Sequence, residues 1–325
     1  MILDWVFVGL GLVILLLAGD VLVKGAVNLA LRLGIPALVV SLTIVAFGTS
    51  APELLISIDA VLSDQPGLAV GNVVGSNTAN ILMVLGVPAL LFTLDPGQSE
   101  TRKSYIHMIL GSLLFIGLAF AAPLGWWHGL VLLAVLAFVL CDQAWIAHRH
   151  RKARAVAASQ LVPQDDDDDE VEGADPDMPG WRIALFLGLG IVGLPLGADL
   201  LVDGASNIAK RFGMSDAAIG LTLVAIGTSL PELATTVVAA YRKQADVALG
   251  NVIGSNMFNL LAIMGVTALI APIEVDEDFI ELDFWIMMAA SLVLAPFVFK
   301  RWNMTRVWGA VFVATYIAYL LVVID

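Results

Sequence analysis

The sequence predicts an all-α membrane protein with ten transmembrane helices, arranged as two inverted five-helix repeats with broken helices at a central site. Three observations predict this fold. The chain is 59% hydrophobic and 14% charged, with a mean hydropathy of +0.92, whereas about a quarter of a typical soluble domain is charged. Its apolar runs are continuous, which disfavours a transmembrane β-barrel because barrel strands alternate. Finally, two halves of the chain repeat each other across a polar stretch.

The lengths of the apolar runs define the expected helices. A bilayer core of about 30 Å needs about 20 apolar residues per helix. The first five segments are expected at residues 3–33, 37–62, 68–94, 104–121 and 126–147. The second five are expected at residues 181–212, 216–241, 247–270, 279–299 and 305–323. The predicted domains are therefore a first repeat at 1–147, an acidic linker at 148–180 and a second repeat at 181–325. We interpret the first segment as a retained helix because no basic region precedes its apolar run.

The basic residues predict how the chain is oriented. If the N-terminus is outside, 13 Lys and Arg residues fall at inner loops and two at outer ends, which is a strong positive-inside bias. The linker 148–180 is then cytoplasmic, and the protein is expected to be a multi-pass protein of the cell membrane. Because each half has an odd number of helices, the second half crosses in the opposite sense, as in many secondary transporters.

One polar motif occurs near the middle of the second and seventh segments. Residues 48–53 read GTSAPE and residues 227–232 read GTSLPE, with an offset of 179 positions between Glu53 and Glu232. A proline breaks a helix, and broken helices persist in a membrane where they line a cavity. The alternative is a capping box, S-x-x-E. However, a carboxylate at the bilayer centre costs about 2.5–3.5 kcal/mol, so two of them indicate bound cations or protons.

A second polar motif follows each glutamate. Residues 71–80 read GNVVGSNTAN and residues 250–259 read GNVIGSNMFN. Within residues 75–80 and 254–259, the serine hydroxyls and the four asparagine amides are candidates for binding an ion or orienting its ligands, while the glycines fit a small-residue packing seam. Because the donors are all oxygen, the site favours hard cations such as Ca²⁺, Mg²⁺ or Na⁺. Two glutamates would neutralise one Ca²⁺ or share several Na⁺ with neutral oxygens, and competition for the carboxylates would couple the two ions.

At these motifs, from Gly19 to Pro88 and from Ala198 to about Pro272, the sequence resembles the cation/Ca²⁺ exchanger superfamily, specifically its prokaryotic Na⁺/Ca²⁺ exchanger branch. The resemblance implies ten helices, of which the first and sixth slide past the other eight. It implies that the Ca²⁺ ligands are Glu53, Glu232 and the carbonyls of Thr49 and Thr228. It implies Na⁺ ligands shared with the glutamates, namely Ser50, Ser76, Ser229, Ser255 and the carbonyls of Ala46 and Ala225. Asn80 and Asn259 would be the polar groups at the centre.

The expected function is Na⁺/Ca²⁺ antiport by alternating access at one shared site, without enzymatic activity or a cofactor. Some relatives, including K⁺-dependent exchangers, carry an aspartate where this chain has Asn259, which argues against K⁺ dependence. A H⁺/Ca²⁺ antiporter using the same glutamates is the main alternative. A channel fits less well because the inverted broken helices speak against it. An intramembrane hydrolase fits less well because the sequence supplies no second catalytic constellation. The expected partners are Ca²⁺, Na⁺ and the lipid bilayer, with no nucleic acid and no obligate protein partner.

Three further features carry less weight. The net charge of −13 includes six consecutive acids, 165–170, which we interpret as part of a solvating linker. The single cysteine, Cys141, excludes an intramolecular disulfide framework and is expected to be a packed thiol. Asp20 and Lys24 are four residues apart and are expected to pair along the first helix.

Overall fold

The computed structural model describes residues 2–95, 100–121, 123–159, 175, 177–213 and 225–324. Within these ranges the protein is helical, with short connections and two isolated β-bridges. We number the helices in chain order as α1 Ile2–Leu33, α2 Ala37–Thr49, α3 Ala51–Leu62, α4 Pro66–Leu91, α5 Glu100–Ala119, α6 Trp126–Ser159, α7 Gly180–Arg211, α8 Ala225–Thr228, α9 Leu230–Tyr241, α10 Ala245–Ile270, α11 Phe279–Lys300 and α12 Arg306–Ile324.

Several of these helices have the length and apolar character of membrane spans. Six qualify singly, namely α1, α4, α6, α7, α10 and α11, and the pair α2 and α3 forms a seventh that is bent by 43°. Large apolar side chains cover the outer surface, and Trp181, for example, is 70% exposed. The chain is therefore a multi-pass, all-helical membrane protein. The described helices overlap every predicted segment, although residues 216–224 of the seventh segment lie outside the described residues.

Helices α1 and α7 pack antiparallel through glycines. A Cβ atom on Gly11 would lie 2.6 Å from the backbone nitrogen of Leu201, and one on Gly204 would lie 2.7 Å from the Asp4 carbonyl oxygen. Real Cβ atoms do not approach this closely, so the two backbones meet where only glycine fits. An ion pair of 3.2 Å between Arg211 and Asp4 joins the end of α7 to the start of α1.

Two β-bridges connect the halves at opposite ends of the bundle. Leu94, after α4, pairs with Met304, before α12. Leu124, before α6, pairs with Ile273, after α10. Because α5 runs between Leu94 and Leu124, the two bridges mark the two ends of the bundle, and each fixes a first-half connection against a second-half connection.

Two side-chain predictions have opposite outcomes. Asp20 and Lys24 do pair, at 2.8 Å, and Asp20 also accepts hydrogen bonds from Arg242 at the end of α9. The prediction for Cys141 is wrong because its side chain is exposed. Phe138 and Trp145, three residues before it and four after it on α6, are also exposed, so Cys141 lies on the outward face of that helix.

Candidate functional site

Two helix breaks form the framework of the site. Ser50 separates α2 from α3 with φ −85° and ψ 6°, and Ser229 separates α8 from α9 with φ −87° and ψ 3°. Pro52 and Pro231 lie in the first turn of the following helix, where a missing N–H costs no hydrogen bond. The repeated sequence thus produces nearly identical breaks, each followed by a buried glutamate one residue after the proline.

The serines at these breaks do not act as helix caps. Neither Ser50 nor Ser229 makes a side-chain capping hydrogen bond in the described structure, so the capping-box alternative is wrong. Instead, Ser50 Oγ donates to Glu232 Oε1 in the other half, at 3.2 Å. This bond brings the first motif directly to the glutamate of the second.

Both glutamates are fully buried, at 0% exposure. Ser255 Oγ also donates to Glu232 Oε1, at 3.4 Å. The other oxygen of Glu232 and both carboxylate oxygens of Glu53 have no hydrogen-bond partner within the described residues. The two carboxylates lie close enough for their negative charges to repel each other. Since an uncompensated buried charge is strongly destabilising, this pair requires a cation or protons.

Two asparagines fix the backbone that carries the glutamates. Asn72 Nδ2, on α4, donates to the carbonyl oxygen of Glu53 at 3.1 Å and to Ser57 Oγ at 2.9 Å. Asn251, on α10, makes the equivalent bonds to the Glu232 carbonyl at 3.3 Å and to Thr236 Oγ1 at 3.2 Å. The sequence showed these asparagines only as repeated positions; their shared 179-residue offset was the one signal of a common role.

Other predicted ligands connect α2 with α10. Thr49 Oγ1 lies 3.2 Å from the Ala46 carbonyl oxygen, 3.3 Å from Asn251 Oδ1 and 3.4 Å from Ser255 Oγ. The Ala46 carbonyl also accepts the backbone amide of Ser50, at 3.0 Å. Thr49 therefore contacts Ser255, and both Ser255 and Ser50 donate to Glu232. Ser76 is buried in α4, Thr228 is half-buried, and Ala225 begins α8; their roles as ligands stay predictions.

Asn80 and Asn259 lie at the contact between the two halves. Both are fully buried, and both belong to π-helical turns, Asn80–Val84 and Phe258–Ile263. Asn80 Nδ2 donates to Asn256 Oδ1, and Asn259 Nδ2 donates to Asn77 Oδ1, each at 3.0 Å. No feature of the sequence predicted these π-helical turns, which are often found at functional sites.

The arrangement offers oxygen ligands from both halves. Within the two repeated motifs, six buried side-chain oxygens have no hydrogen-bond partner among the described residues: both of Glu53, Oε2 of Glu232, Oγ of Ser229 and Oδ1 of Asn80 and Asn259. Ca²⁺ accepts six to eight oxygens in flexible geometry. No group of three or more His, Cys, Asp or Glu residues suited to a metal is present among the described residues, and the donor set matches hard cations.

An all-oxygen site buried between broken helices is characteristic of membrane transport proteins that carry cations. The chain belongs to the sodium/calcium exchanger protein family, which it matches over residues 3–145 and 182–324. It is 37% identical over 325 residues to the putative antiporter CaxA of Alkalimonas amylolytica, covering 98% of each chain. It is 34% identical over 342 residues to the sodium/calcium exchanger MaX1 of Methanosarcina acetivorans, covering 96% of each.

A solved structure of the sodium-calcium exchanger NCX_Mj, soaked with Na⁺ and Ca²⁺, has the same fold. It superposes with a TM-score of 0.80 at 30% sequence identity, covering 99% of this chain and 98% of that one. The family consists of exchangers, so the chain is a transporter of the cation/Ca²⁺ exchanger superfamily, in its prokaryotic branch.

Proposed function

We propose that this protein is a Na⁺/Ca²⁺ antiporter of the cell membrane, which exchanges the two ions at one central site. The observation that carries the proposal is the buried pair Glu53 and Glu232, in which three of the four carboxylate oxygens have no donor within the described structure. Their combined charge of −2 balances one Ca²⁺. With the neutral oxygens around them, the same carboxylates suit several Na⁺ ions, so the two cargoes compete for the same ligands.

The proposed architecture has ten membrane-spanning helices in two inverted repeats, with the N-terminus outside and the linker 148–180 in the cytoplasm. The constant offset of 179 residues between equivalent positions supports the repeat. The antiparallel packing of α1 on α7 supports the inversion, because these are the first helices of the two halves. Equivalent ligands then approach the centre from opposite sides, which suits access from either face of the membrane.

Helix α7 is placed to control that access. A Cβ atom on Gly48 would lie 2.7 Å from Ile191, and one on Gly227 would lie 2.5 Å from Val202. One helix therefore packs against both GTS motifs, each of which ends at a helix break. We propose that α1 and α7, which pack closely together through their glycines, move as one body across the breaks and expose the site alternately to the two sides.

Proton coupling is the second candidate, because protonation would also relieve the repulsion between the two buried carboxylates. The relative CaxA is described as a putative antiporter without a stated ion, which favours neither coupling over the other. Purified protein in liposomes separates them. A Na⁺ gradient at fixed pH is expected to drive ⁴⁵Ca²⁺ uptake; uptake that needs a pH gradient and ignores Na⁺ would replace our proposal with H⁺/Ca²⁺ antiport.

Replacing either glutamate tests the site directly. Glu53→Gln or Glu232→Gln leaves a single negative charge for a divalent cation, so Na⁺-driven ⁴⁵Ca²⁺ uptake should fall at least about 100-fold, the equivalent of losing one strong charged ligand. Asp59→Asn is the matched control: Asp59 lies on the same helix as Glu53 but is exposed, and uptake should stay within about twofold. Near-normal uptake in either glutamine variant would rule out the proposed site.

A further inference from the structure

We propose that Asn77 and Asn256 are positioning residues that hold the side-chain oxygens of Asn80 and Asn259 ready for the transported ion. This inference rests on the proposed function, since it concerns how the same central site is oriented. The sequence made the amides of Asn77 and Asn256 candidates for binding or orienting an ion, but the family resemblance gave neither residue a role of its own. Both are almost fully buried, at 1% exposure, on α4 and α10 where the halves meet.

The orientation of these two amides is forced by the backbone. Asn77 Nδ2 donates to the carbonyl oxygen of Asn256, and Asn256 Nδ2 donates to the carbonyl oxygen of Asn77, both at 3.2 Å. A backbone carbonyl only accepts hydrogen bonds, and only the NH₂ group of a side-chain amide donates. Each amide must therefore turn its NH₂ group towards the opposite backbone, and neither can rotate by 180° without losing that bond.

The next pair of amides is then fixed in turn. Because Asn77 Nδ2 is already bonded to the Asn256 carbonyl, Asn77 Oδ1 faces Asn259. Asn259 must therefore donate a hydrogen bond from its own Nδ2, at 3.0 Å. Asn256 does the same for Asn80, also at 3.0 Å. The remaining atom of each central amide is an oxygen, and neither Oδ1 has a hydrogen-bond partner within the described structure. A cation is attracted to such an oxygen, whereas a reversed amide would present NH₂ and repel it.

The network has a crossed pattern that makes it specific. Asn77 of the first half orients Asn259 of the second, and Asn256 of the second orients Asn80 of the first. Asn77 and Asn80 belong to the same helix, but Asn77 does not set the orientation of Asn80. A general packing role for Asn77 would affect both central amides, while a positioning role affects only its crossed partner.

A double-mutant cycle tests this pattern through the half-saturating Ca²⁺ concentration of ⁴⁵Ca²⁺ uptake in liposomes. Asn77→Ala should raise that concentration about tenfold, because Asn259 is then free to reverse. In an Asn259→Ala background, Asn77→Ala should have less than a twofold further effect. In an Asn80→Ala background, the fold-increases in half-saturating Ca²⁺ concentration caused by Asn77→Ala and by Asn80→Ala should multiply. Thr78→Val is the control, since buried Thr78 donates to Val74 in its own helix, and it should leave the concentration within twofold.

A conservative variant covers the case in which Asn77→Ala does not fold. Asn77→Leu keeps the approximate size of the side chain and adds no charge, but it removes the donor to the Asn256 carbonyl and the acceptor facing Asn259. It should raise the half-saturating Ca²⁺ concentration about tenfold alone, less than twofold in the Asn259→Ala background and about tenfold in the Asn80→Ala background. The inference is overturned if the fold-changes multiply in both backgrounds, or if both Asn77 variants leave the half-saturating Ca²⁺ concentration unchanged. Wild-type protein that takes up no Ca²⁺ would instead refute the proposed function.

Discussion

Ser50 and Ser229 occupy equivalent positions but have different contacts. Ser50 Oγ donates to Glu232, whereas Ser229 Oγ has no partner and Glu53 receives no donor within the described residues. The pseudosymmetric site is therefore asymmetric in its side-chain hydrogen bonds. One glutamate is held by serines from both halves, and the other relies on its backbone anchor from Asn72. The two glutamates should consequently respond differently to small changes around them.

Alanine substitution of the two serines should reveal this difference. Ser50→Ala removes a hydrogen bond to a buried carboxylate, so the free energy of unfolding without ions should fall by about 1.5–3 kcal/mol. Ser229→Ala replaces an unpaired hydroxyl with a methyl-sized group and should be nearly neutral without ions. It should instead reduce the extra stability gained on adding Ca²⁺ or Na⁺, because a proposed ligand is lost.

Thermal unfolding in detergent, with and without each ion, measures both effects. Ser112→Ala gives a reference away from the site, because buried Ser112 donates to the Met108 carbonyl oxygen of its own helix, α5. Equal losses of ion-free stability for the two serine variants would contradict the asymmetry.

At the scale of helices, the contact between α1 and α7 makes a strict demand on side-chain size. A Cβ atom on Gly197 would lie 2.9 Å from the Leu15 nitrogen and 3.0 Å from the Gly11 carbonyl oxygen. Both are backbone atoms, which cannot turn aside as a flexible side chain can. The helices must separate to accept even one methyl group, and their separation would disturb the body that we propose to move during transport.

Gly197→Ala should therefore lower the free energy of unfolding by about 1–3 kcal/mol, the usual cost of overpacking. Gly188→Ala, on the same helix, is the matched control because a Cβ atom there meets nothing within 4 Å among the described residues. It should be neutral or stabilising by up to about 1 kcal/mol, since alanine favours a helix more than glycine does. A Gly197→Ala variant as stable as Gly188→Ala would show that the helices are not in this backbone contact.

The helices also show which structural features the sequence could predict and which it could not. Helix positions and the break before Pro52 followed from apolar run lengths and from the backbone chemistry of proline. The π-helical turn at Asn80 did not, because it depends on how α4 meets α10 and not on local composition. Likewise, the capping-box motif was ambiguous until the structure showed Ser50 bonded across the halves to Glu232. Contacts between distant segments decided each feature that the sequence left open.

For the whole molecule, the orientation of the chain is open to a labelling test. In a Cys141→Ser background, Ser63→Cys places a thiol in the exposed connection between α3 and α4, and Asp177→Cys places one just before α7. The proposed topology puts position 63 outside and position 177 inside. A membrane-impermeant maleimide should label the first in intact cells and the second only after permeabilisation. The reverse pattern would invert the proposed orientation, while leaving the ion site unaffected.

The two β-bridges and the asparagine network have a consequence for the duplicated halves themselves. Asn77 and Asn256 each need an acceptor that only the opposite half provides, and Leu94 and Leu124 find their backbone partners there as well. The two repeated halves are therefore not independent of each other, since each supplies hydrogen-bond partners that the other lacks. A half synthesised alone would have to hide polar groups whose counterparts are missing, so the smallest unit able to fold correctly is the complete pair.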